Sequence, residues 1–259
     1  MEILSFELGG KSAFFKKPEV NSYYYFTYGN IHKVALLGIF GAFLGYSGYN
    51  QMRGFSKKKR KTDVEESFPE FYEKLRGLNV SILPTQQHEK GFIPKKIQIF
   101  NNSVGYASKE QGGNLIVKEQ WLENPSWKIC VLIDSEEAEK VKTAICKHTC
   151  VYYPYLGKND HPADIRDIQI EQAEEISFKM GRLDCLCPED KAQIVELDYD
   201  EKEELNAFSA FKYQEALPYK LEAWANQYVL KKFIFTDAFM EVKDCSVYQL
   251  RKGQKIIFY

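Results

Sequence analysis

Residues 152–164 read Tyr-Tyr-Pro-Tyr-Leu-Gly-Lys-Asn-Asp-His-Pro-Ala-Asp, the most informative stretch of the chain. Pro154 fixes its own φ, and Gly157 permits backbone conformations that other residues avoid, so a turn is predicted here. Three donors follow the prolyl residue: Lys158, Asn159 and His161. Donors beside aromatic rings suit single-stranded RNA, which proteins hold by stacking and phosphate contacts. A plain surface loop with tyrosines packed beneath it is the alternative.

The elements before this turn alternate between strands and helices. Apolar patterns predict strands at Glu2–Leu8, Val80–Leu83, Lys95–Asn101, Asn114–Trp121, Trp127–Asp134 and near Ile165–Ala173. Helices are predicted at about Lys33–Gly48, at about Val64–Leu75, and from a capping box of Asp134 and Glu137 to about Lys147. Without the long hairpin between residues 95 and 121, this order is the βαββαβ of a ferredoxin-like or RRM-like α+β sheet.

The remaining residues have a different character. After about residue 175, short β-like runs are predicted: Ile194–Leu197, Phe208–Tyr213, Tyr228–Phe235 and Lys255–Tyr259. We therefore expect a first domain over 1–175 and a smaller β-rich C-terminal part over 176–259, which covers or extends the first sheet.

The first predicted helix is rich in glycine. Four glycines step along it by three, four and three: Gly38, Gly41, Gly45 and Gly48. This spacing places them on one face. Because glycine costs a helix roughly 1 kcal/mol relative to alanine, the pattern predicts that another element approaches this face closely. A sheet or packed backbone is one candidate, and an RNA or partner backbone is the other.

Composition limits the possible functions. The 259 residues are 44% hydrophobic and 15% aromatic, enough for a substantial core. The formal net charge of -1 argues against a free, non-specific nucleic-acid binder, but charges are segregated and a local basic face is possible. The basic run Lys57–Lys61 suits phosphate contact or a merely solvated loop.

Cysteine usage and hydropathy indicate a cytoplasmic protein without a metal, a cofactor or a membrane segment. No secretory leader is evident, so the six cysteines are expected to be free thiols. The pairs Cys146/Cys150 and Cys185/Cys187 lack the two-residue spacing usual in structural zinc sites. The apolar run Val34–Tyr46 is shorter than the ~20 residues of a membrane span. A membrane-associated or scaffolding role for the glycine-rich helix is a third-ranked alternative.

Three segments in order resemble the Cas-five family of CRISPR-associated RAMP proteins, with the type I-B branch most similar. They are Phe6-Glu-Leu-Gly-Gly-Lys-Ser-Ala-Phe-Phe-Lys-Lys-Pro18, Ala35-Leu-Leu-Gly-Ile-Phe-Gly-Ala-Phe-Leu-Gly45 and Tyr155-Leu-Gly-Lys-Asn-Asp-His-Pro-Ala163. The resemblance covers roughly residues 1–165 and is loose in the C-terminal third. It implies an RRM-like RAMP domain with a projecting β-hairpin thumb at about residues 101–114.

The resemblance also implies a function in antiviral defence. Members of the family cap the 5′ handle of crRNA in the Cascade complex, contact the Cas-seven backbone subunit and the large subunit, and meet target DNA only indirectly. On this basis the expected RNA-binding residues are Lys33, Arg53, Lys57, Lys58, Lys59, Tyr106, Lys109, Lys158, Asn159 and His161. No catalytic residue is expected.

A nuclease is the alternative function. The type I-C branch of the family resembles a metal-independent endoribonuclease with a Tyr near the end of the first helix and a Lys-His pair before the second. Here the first position reads Phe43-Leu44-Gly45, with Tyr46 displaced, and the second reads Asp134-Ser-Glu-Glu137. Acidic groups cannot offset charge developing on a cleaved phosphodiester as Lys and His⁺ can. Tyr46 and His148 are the candidates if the chain cleaves repeat RNA.

Overall fold

A computed structural model describes residues 1–19, 23–52, 68–85, 91–101, 103, 105–106, 109–111 and 113–259. Within these residues the chain is a mixed α+β protein, as predicted. The helices are α1 (Lys33–Leu44), α2 (Glu70–Leu75), α3 (Glu136–Cys146) and α4 (Tyr199–Glu204), with a 3-10 turn at Tyr49–Gln51. No helix in the described ranges is both long enough and apolar enough to cross a bilayer.

The strands are numerous and mostly short. In chain order they are β1 (Glu2–Gly9), β2 (Ser12–Ala13), β3 (Tyr24–Tyr25), β4 (Val80–Pro84), β5 (Lys95–Asn101), β6 (Ile116–Glu123), β7 (Ser126–Leu132), β8 (Asp164–Gln172), β9 (Glu174–Ile176), β10 (Met180–Gly181), β11 (Cys187–Pro188), β12 (Ala192–Ile194), β13 (Lys212–Leu221), β14 (Tyr228–Thr236), β15 (Met240–Val242), β16 (Val247–Gln249) and β17 (Lys255–Ile256).

The central sheet has the strand order β4-β7-β1-β8, and all its neighbours are antiparallel. Strand β1 lies in the middle, where Leu4 pairs with Val131 on one side and with Ile170 on the other. Alternate residues of each strand point to opposite faces of a sheet. Leu4, Phe6 and Leu8 therefore share one face, which packs on α1; the rings of Phe6 and Phe40 lie 6.3 Å apart.

The second face of the central sheet is covered by C-terminal residues. Ile3, Leu83 and Cys130 belong to a separate apolar cluster with Cys185 and Ile257. The C-terminal hairpin β13–β14 packs instead on the helix side, and its residues join the larger cluster. Residues after 175 thus cover the second face of the sheet, and β13 packs on α1 at the other side. The division into two parts near residue 175 stays a prediction.

The long hairpin is present. Strands β5 and β6 pair antiparallel from Lys95–Leu122 to Asn101–Ile116, and β6 also contacts β2 and β3. Strand β6 begins two residues later than predicted. The thumb segment expected at 101–114 lies between these strands, and the structure describes it in part.

Three helix boundaries differ from the prediction. Helix α2, predicted from about Val64, begins at Glu70 with Pro69 as its N-cap; positions 64–67 lie outside the described residues. Helix α1 ends at Leu44, because Gly45 adopts φ 74°, a left-handed cap whose N–H donates to the Gly41 carbonyl. Helix α3 is capped by Ser135, whose hydroxyl accepts from the Ala138 N–H at 3.3 Å, so the predicted cap at Asp134 is wrong by one residue.

Candidate nucleic-acid interface

Helix α1 begins at a buried histidine. The Nδ1 atom of His32 accepts a hydrogen bond from the Ala35 N–H at 3.2 Å and so caps the helix. Its ring contacts three aromatic rings edge-on, with centroid distances of 5.9, 5.4 and 5.4 Å: Phe15, Tyr28 and Tyr228. Burial lowers the pKa of His32 to about 3, so the ring is neutral at physiological pH and serves as an acceptor.

A groove of about 660 Å³ runs along the face of α1 that starts at His32. Small residues line it on the helix side: Ala35, Gly38 and Ala42. A Cβ atom added to Gly38 would meet no atom within 4 Å, whereas one added to Gly41 would lie 2.6 Å from Phe71 Cβ. The glycines of the predicted face therefore have different roles. Gly41 allows α2 to pack closely on α1, and Gly38 leaves space in the groove.

Aromatic rings form most of the rest of the groove. They are Phe14, Phe15, Tyr46, Tyr49, Phe71, Tyr152, Tyr153, Tyr155 and Tyr228. Tyr152 is 61% exposed and Tyr153 is 90% exposed. These tyrosines do not pack beneath a loop, as the plain alternative assumed; their rings are presented to solvent beside α1. Exposed aromatic faces next to small residues can receive splayed nucleobases.

Backbone hydrogen bonds hold this tyrosine segment against α1. The N–H of Val151 donates to the Phe43 carbonyl at 3.1 Å, and the N–H of Tyr152 donates to the Ala42 carbonyl at 3.0 Å. These carbonyls belong to the last turn of α1, where they have no partner inside the helix. The segment is thus fixed in place although its side chains are exposed.

The turn that follows requires its glycine. Gly157 has φ 89°, and a Cβ atom there would lie 2.1 Å from the Phe14 carbonyl oxygen. The Phe14 N–H donates to the Leu156 carbonyl at 3.0 Å, and the Leu156 N–H donates to the His161 carbonyl at 2.7 Å. The predicted turn is therefore present and joined to the N-terminal segment.

The side chains of this turn lie at different depths. Lys158 Nζ lies 3.1 Å from Asp160 and 3.3 Å from Glu119 on β6. His161 is 1% exposed, because its Nδ1 lies 2.7 Å from the Ser12 hydroxyl and its ring packs edge-on against Trp121. The prediction that His161 projects into solvent is therefore wrong. Lys158 is half-buried, and Asn159 is exposed, as predicted.

The groove itself is close to neutral. Lys16 is the one charged side chain among its described lining residues, and it lies over the Tyr25 ring at 4.3 Å. Burial, followed by the neighbouring Tyr228 and Tyr72, raises the pKa of Tyr49 to about 12. Burial and then the Glu137 carboxylate raise the pKa of Tyr46 to about 12. Both hydroxyls stay protonated: that of Tyr46 donates to Glu137, and that of Tyr49 can donate a hydrogen bond to a ligand.

The other predicted site residues are dispersed. Lys33 is 8% exposed and its Nζ donates to the Tyr259 carbonyl at 3.0 Å, so it is not presented to a ligand. Tyr106 is 77% exposed and Lys109 is also exposed, both on the thumb segment. Arg53, Lys57, Lys58 and Lys59 lie outside the described residues.

The two residues of the nuclease alternative are not brought together in one site. The Tyr46 hydroxyl donates to Glu137 at 2.6 Å and lines the groove. His148 is exposed after the end of α3, with φ 51°, and does not belong to the groove lining. In the described part of the chain, no group of three or more His, Cys, Asp or Glu side chains is placed to hold a metal ion.

Sequence reasoning missed most of the groove. Tyr49 and Tyr228 lie far apart in the chain and meet only in the folded structure, so no local pattern connects them. Tyr152, Tyr153 and Tyr155 were visible in the opening stretch, but their exposure could not be deduced from it.

Comparison with known proteins shows which solved structures share this fold. The sequence matches no protein-family model, and no curated protein is significantly similar to it. A chain of a CRISPR RNA-guided surveillance complex superimposes with a TM-score of 0.50 at 10% identity, covering 97% of this chain and 92% of that one. The chain shares its fold with CRISPR proteins. A CRISPR protein from Archaeoglobus fulgidus also has a TM-score of 0.50, at 11% identity, with 99% and 98% of the two chains covered.

Proposed function

We propose that this chain is a CRISPR-associated RAMP protein of the Cas-five type and that it binds the single-stranded 5′ handle of crRNA within a Cascade complex. The observation that carries the proposal is the groove along α1, with Gly38 open on the helix side and exposed tyrosines beside it. Such a surface suits splayed bases, which stack on aromatic rings. The shared fold and the antiparallel order β4-β7-β1-β8 support an RRM-like core.

Recognition in this proposal divides between bases and phosphates. Bases stack on Tyr152 and Tyr153, and tyrosine hydroxyls donate hydrogen bonds to their edges. Because the groove is nearly uncharged, phosphates must be held at its rim, by Lys16 and by Lys158 with Asn159 at the turn. The basic residues Arg53 and Lys57–Lys59 follow the groove residue Gln51 in sequence and are proposed as further phosphate contacts.

The thumb and the partner subunits complete the proposal. Tyr106 and Lys109 are exposed on the segment between β5 and β6, where they can meet RNA or a neighbouring subunit. The expected neighbours are a Cas-seven backbone subunit and the large subunit, with target DNA reached through the complex.

Cleavage of repeat RNA is the second candidate function, and Tyr46 in the groove lining is the observation that favours it. The Tyr46 hydroxyl, however, donates to Glu137 at 2.6 Å, and a pKa raised to about 12 makes it a poor general base at neutral pH. We therefore propose that the protein binds its RNA without cutting it.

The experiment is a pair of gels on the purified protein with end-labelled repeat RNA, without metal. We expect a shift of handle-containing RNA on the native gel and intact RNA on the denaturing gel. The double variant Tyr152→Ala/Tyr153→Ala should lose the shift, while Tyr199→Ala, which removes an exposed ring on α4, should keep it. A discrete product that disappears in Tyr46→Phe would establish the nuclease instead. An unchanged shift in the double variant would remove the groove from the interface.

A further inference from the structure

The turn between β13 and β14 presents a tryptophan to solvent. Trp224 is 75% exposed, whereas Trp127 is fully buried. Trp121 is half-buried, and its indole N–H donates a hydrogen bond to Glu119. Tryptophan is the largest side chain and is usually well buried on average. Tryptophan is also enriched among the residues that contribute most to protein–protein binding, and aromatic rings are the platforms on which single-stranded nucleic acids stack. An exposed tryptophan at the tip of a hairpin therefore needs an explanation.

This turn is ordered in advance of any contact. The Glu222 carboxylate accepts hydrogen bonds from the N–H groups of Ala225, of Trp224 at 3.2 Å and of Gln227 at 3.5 Å. The Glu222 N–H donates to the Gln227 carbonyl at 3.0 Å and closes the loop. Because the backbone is already fixed, contact with a ligand would cost little additional ordering. The turn holds the indole outward rather than letting it fold back on the protein.

The same hairpin borders the groove. Tyr228 opens β14, pairs with Leu221 and contributes its ring to the groove lining beside His32. Trp224 precedes Tyr228 by four residues, so their Cα atoms are at most about 14 Å apart. An RNA strand that left the groove past Tyr228 would therefore reach the indole within about two nucleotides.

Two cationic side chains lie in a cleft beside this turn. A cleft of about 590 Å³ next to the hairpin is lined by Lys220 and Arg76, by the half-buried ring of Tyr219 and by Glu222, whose carboxylate is already bonded to the N–H groups of the turn. Lys220 is exposed, and the Arg76 side chain is 48% exposed and paired with Glu73. Two exposed cations beside an exposed indole favour a single-stranded nucleic acid over an apolar protein surface as the occupant.

We propose that Trp224 stacks on a nucleobase of the bound RNA just beyond the groove, with Lys220 and Arg76 near the adjoining phosphates. This inference rests on the proposed function and assigns an RNA contact to the C-terminal hairpin, outside the segments that carry the sequence resemblance. Stacking tolerates every base, because each has a π-face, so the contact adds affinity without adding sequence preference.

The test is a fluorescence titration of the whole protein with short single-stranded RNA that contains the handle. RNA should quench the emission of the exposed indole, and Trp224→Phe should abolish that quenching while retaining affinity within about twofold, since phenylalanine also stacks. Trp224→Ala should weaken binding roughly 5-fold to 100-fold. Tyr199→Ala is the matched control, because it removes an exposed ring elsewhere and should leave affinity unchanged.

The outcomes separate this inference from the proposed function. If Trp224→Ala binds RNA like the wild type while Tyr152→Ala/Tyr153→Ala does not, the groove is an RNA site and the role of Trp224 is refuted. If the wild type binds no RNA, both proposals fail. If Trp224→Ala binds RNA normally but no longer assembles with the partner subunits, the indole is a protein anchor and the stacking proposal is wrong.

Discussion

The Nζ atom of Lys158 lies 3.3 Å from both carboxylate oxygens of Glu119, a residue that is only 6% exposed. The lysine that the sequence presents as a free phosphate ligand is therefore paired with a buried charge on the β5–β6 hairpin. Burial lowers the pKa of Lys158, but Asp160 and Glu119 raise it more, so the ammonium stays charged. Its attraction for a phosphate is reduced by the same carboxylates.

Breaking this pair should affect stability and binding in different ways. Lys158→Ala leaves Glu119 buried without its cation and should lower the free energy of unfolding by about 1–3 kcal/mol. Glu119→Gln removes the competing charge, so RNA affinity should rise a few-fold at low salt. The double variant Lys158→Ala/Glu119→Gln should recover most of the lost stability but not the RNA affinity.

Urea unfolding and RNA titrations over a range of salt concentrations measure these effects. Asp160→Asn is the control, since it removes the more exposed partner of Lys158 and leaves Glu119 paired. Equal RNA affinity in Lys158→Ala and the wild type would mean that Lys158 has a structural role only.

Two glycines of α1 should respond in opposite directions. Gly38→Ala meets no neighbouring atom and should stabilise the protein by about 0.5–1 kcal/mol. Gly41→Ala should destabilise it, because the new methyl group would lie 2.6 Å from Phe71 Cβ. Thermal unfolding measures both, and a stabilising Gly41→Ala would contradict the close packing of α1 on α2.

A larger side chain at Gly38 should block the groove without unfolding the protein. Gly38→Trp places an indole where a base would lie, so RNA binding should fall at least about tenfold while the melting temperature changes little. Gly38→Ala is the matched control and should retain binding. Tight binding by Gly38→Trp would exclude the α1 face from the RNA interface.

Stability should depend on pH through His32. Its pKa is about 3 in the folded protein because burial disfavours the charged ring, whereas an unfolded histidine titrates near 6.5. The unfolded state therefore binds more protons as the pH falls below about 6.5, and stability should decline by about 1.4 kcal/mol for each pH unit until the pH approaches 3. Above about pH 7 this contribution is fully present.

His32→Asn tests the origin of that slope, since asparagine retains an acceptor for the helix cap. The variant should be less stable overall, because it leaves space among the aromatic rings, but its stability should vary less between about pH 7.5 and 5.5. His148→Asn, at an exposed position, should keep the slope of the wild type. Urea midpoints at several pH values decide the matter; an unchanged slope in His32→Asn would assign the effect to other groups.

Tyr46 should matter for structure rather than for cleavage. Tyr46→Phe removes a 2.6 Å hydrogen bond to Glu137 and should cost about 1 kcal/mol of stability. It should leave repeat RNA as intact as the wild type does. A melting curve and a denaturing gel on the same preparation measure both effects. If the wild type cleaves the RNA and Tyr46→Phe does not, Tyr46 has a catalytic role and this prediction is wrong.

The sequence predicted the central sheet well because its signal is local. Alternation in β1 and the apolar runs of β4 and β7 reflect burial on the two faces of one sheet, and each could be recognised within eight residues. Helix ends were less accurate: the left-handed cap at Gly45 ended α1 early, although its glycine had been counted as part of the helix face. The short acidic helix α4 was not predicted at all.

The candidate site was harder to predict because it depends on contacts between distant segments. The turn at Gly157 was found from its glycine and proline, but the inward direction of His161 is set by Ser12 and Trp121, which no spacing rule connects to it. Lys33 looked available at a helix start, yet C-terminal residues cover it. The sequence thus showed residue types that suit RNA binding, but several of them lie deeper in the fold than expected.

The central position of β1 has a consequence for how the chain folds. Leu4 pairs with Val131 and Ile170, so β1 gains its first neighbour, β7, only when about half of the 259 residues have been synthesised, and its second, β8, at about two-thirds. Such non-local pairing is slow, since loop closure must precede the contacts that stabilise it. During translation both edges of this apolar strand are open to other chains at first, and one edge stays open until β8 is made. Expression of the protein should therefore be sensitive to temperature and chaperone supply, and fragments that stop before β8 should aggregate.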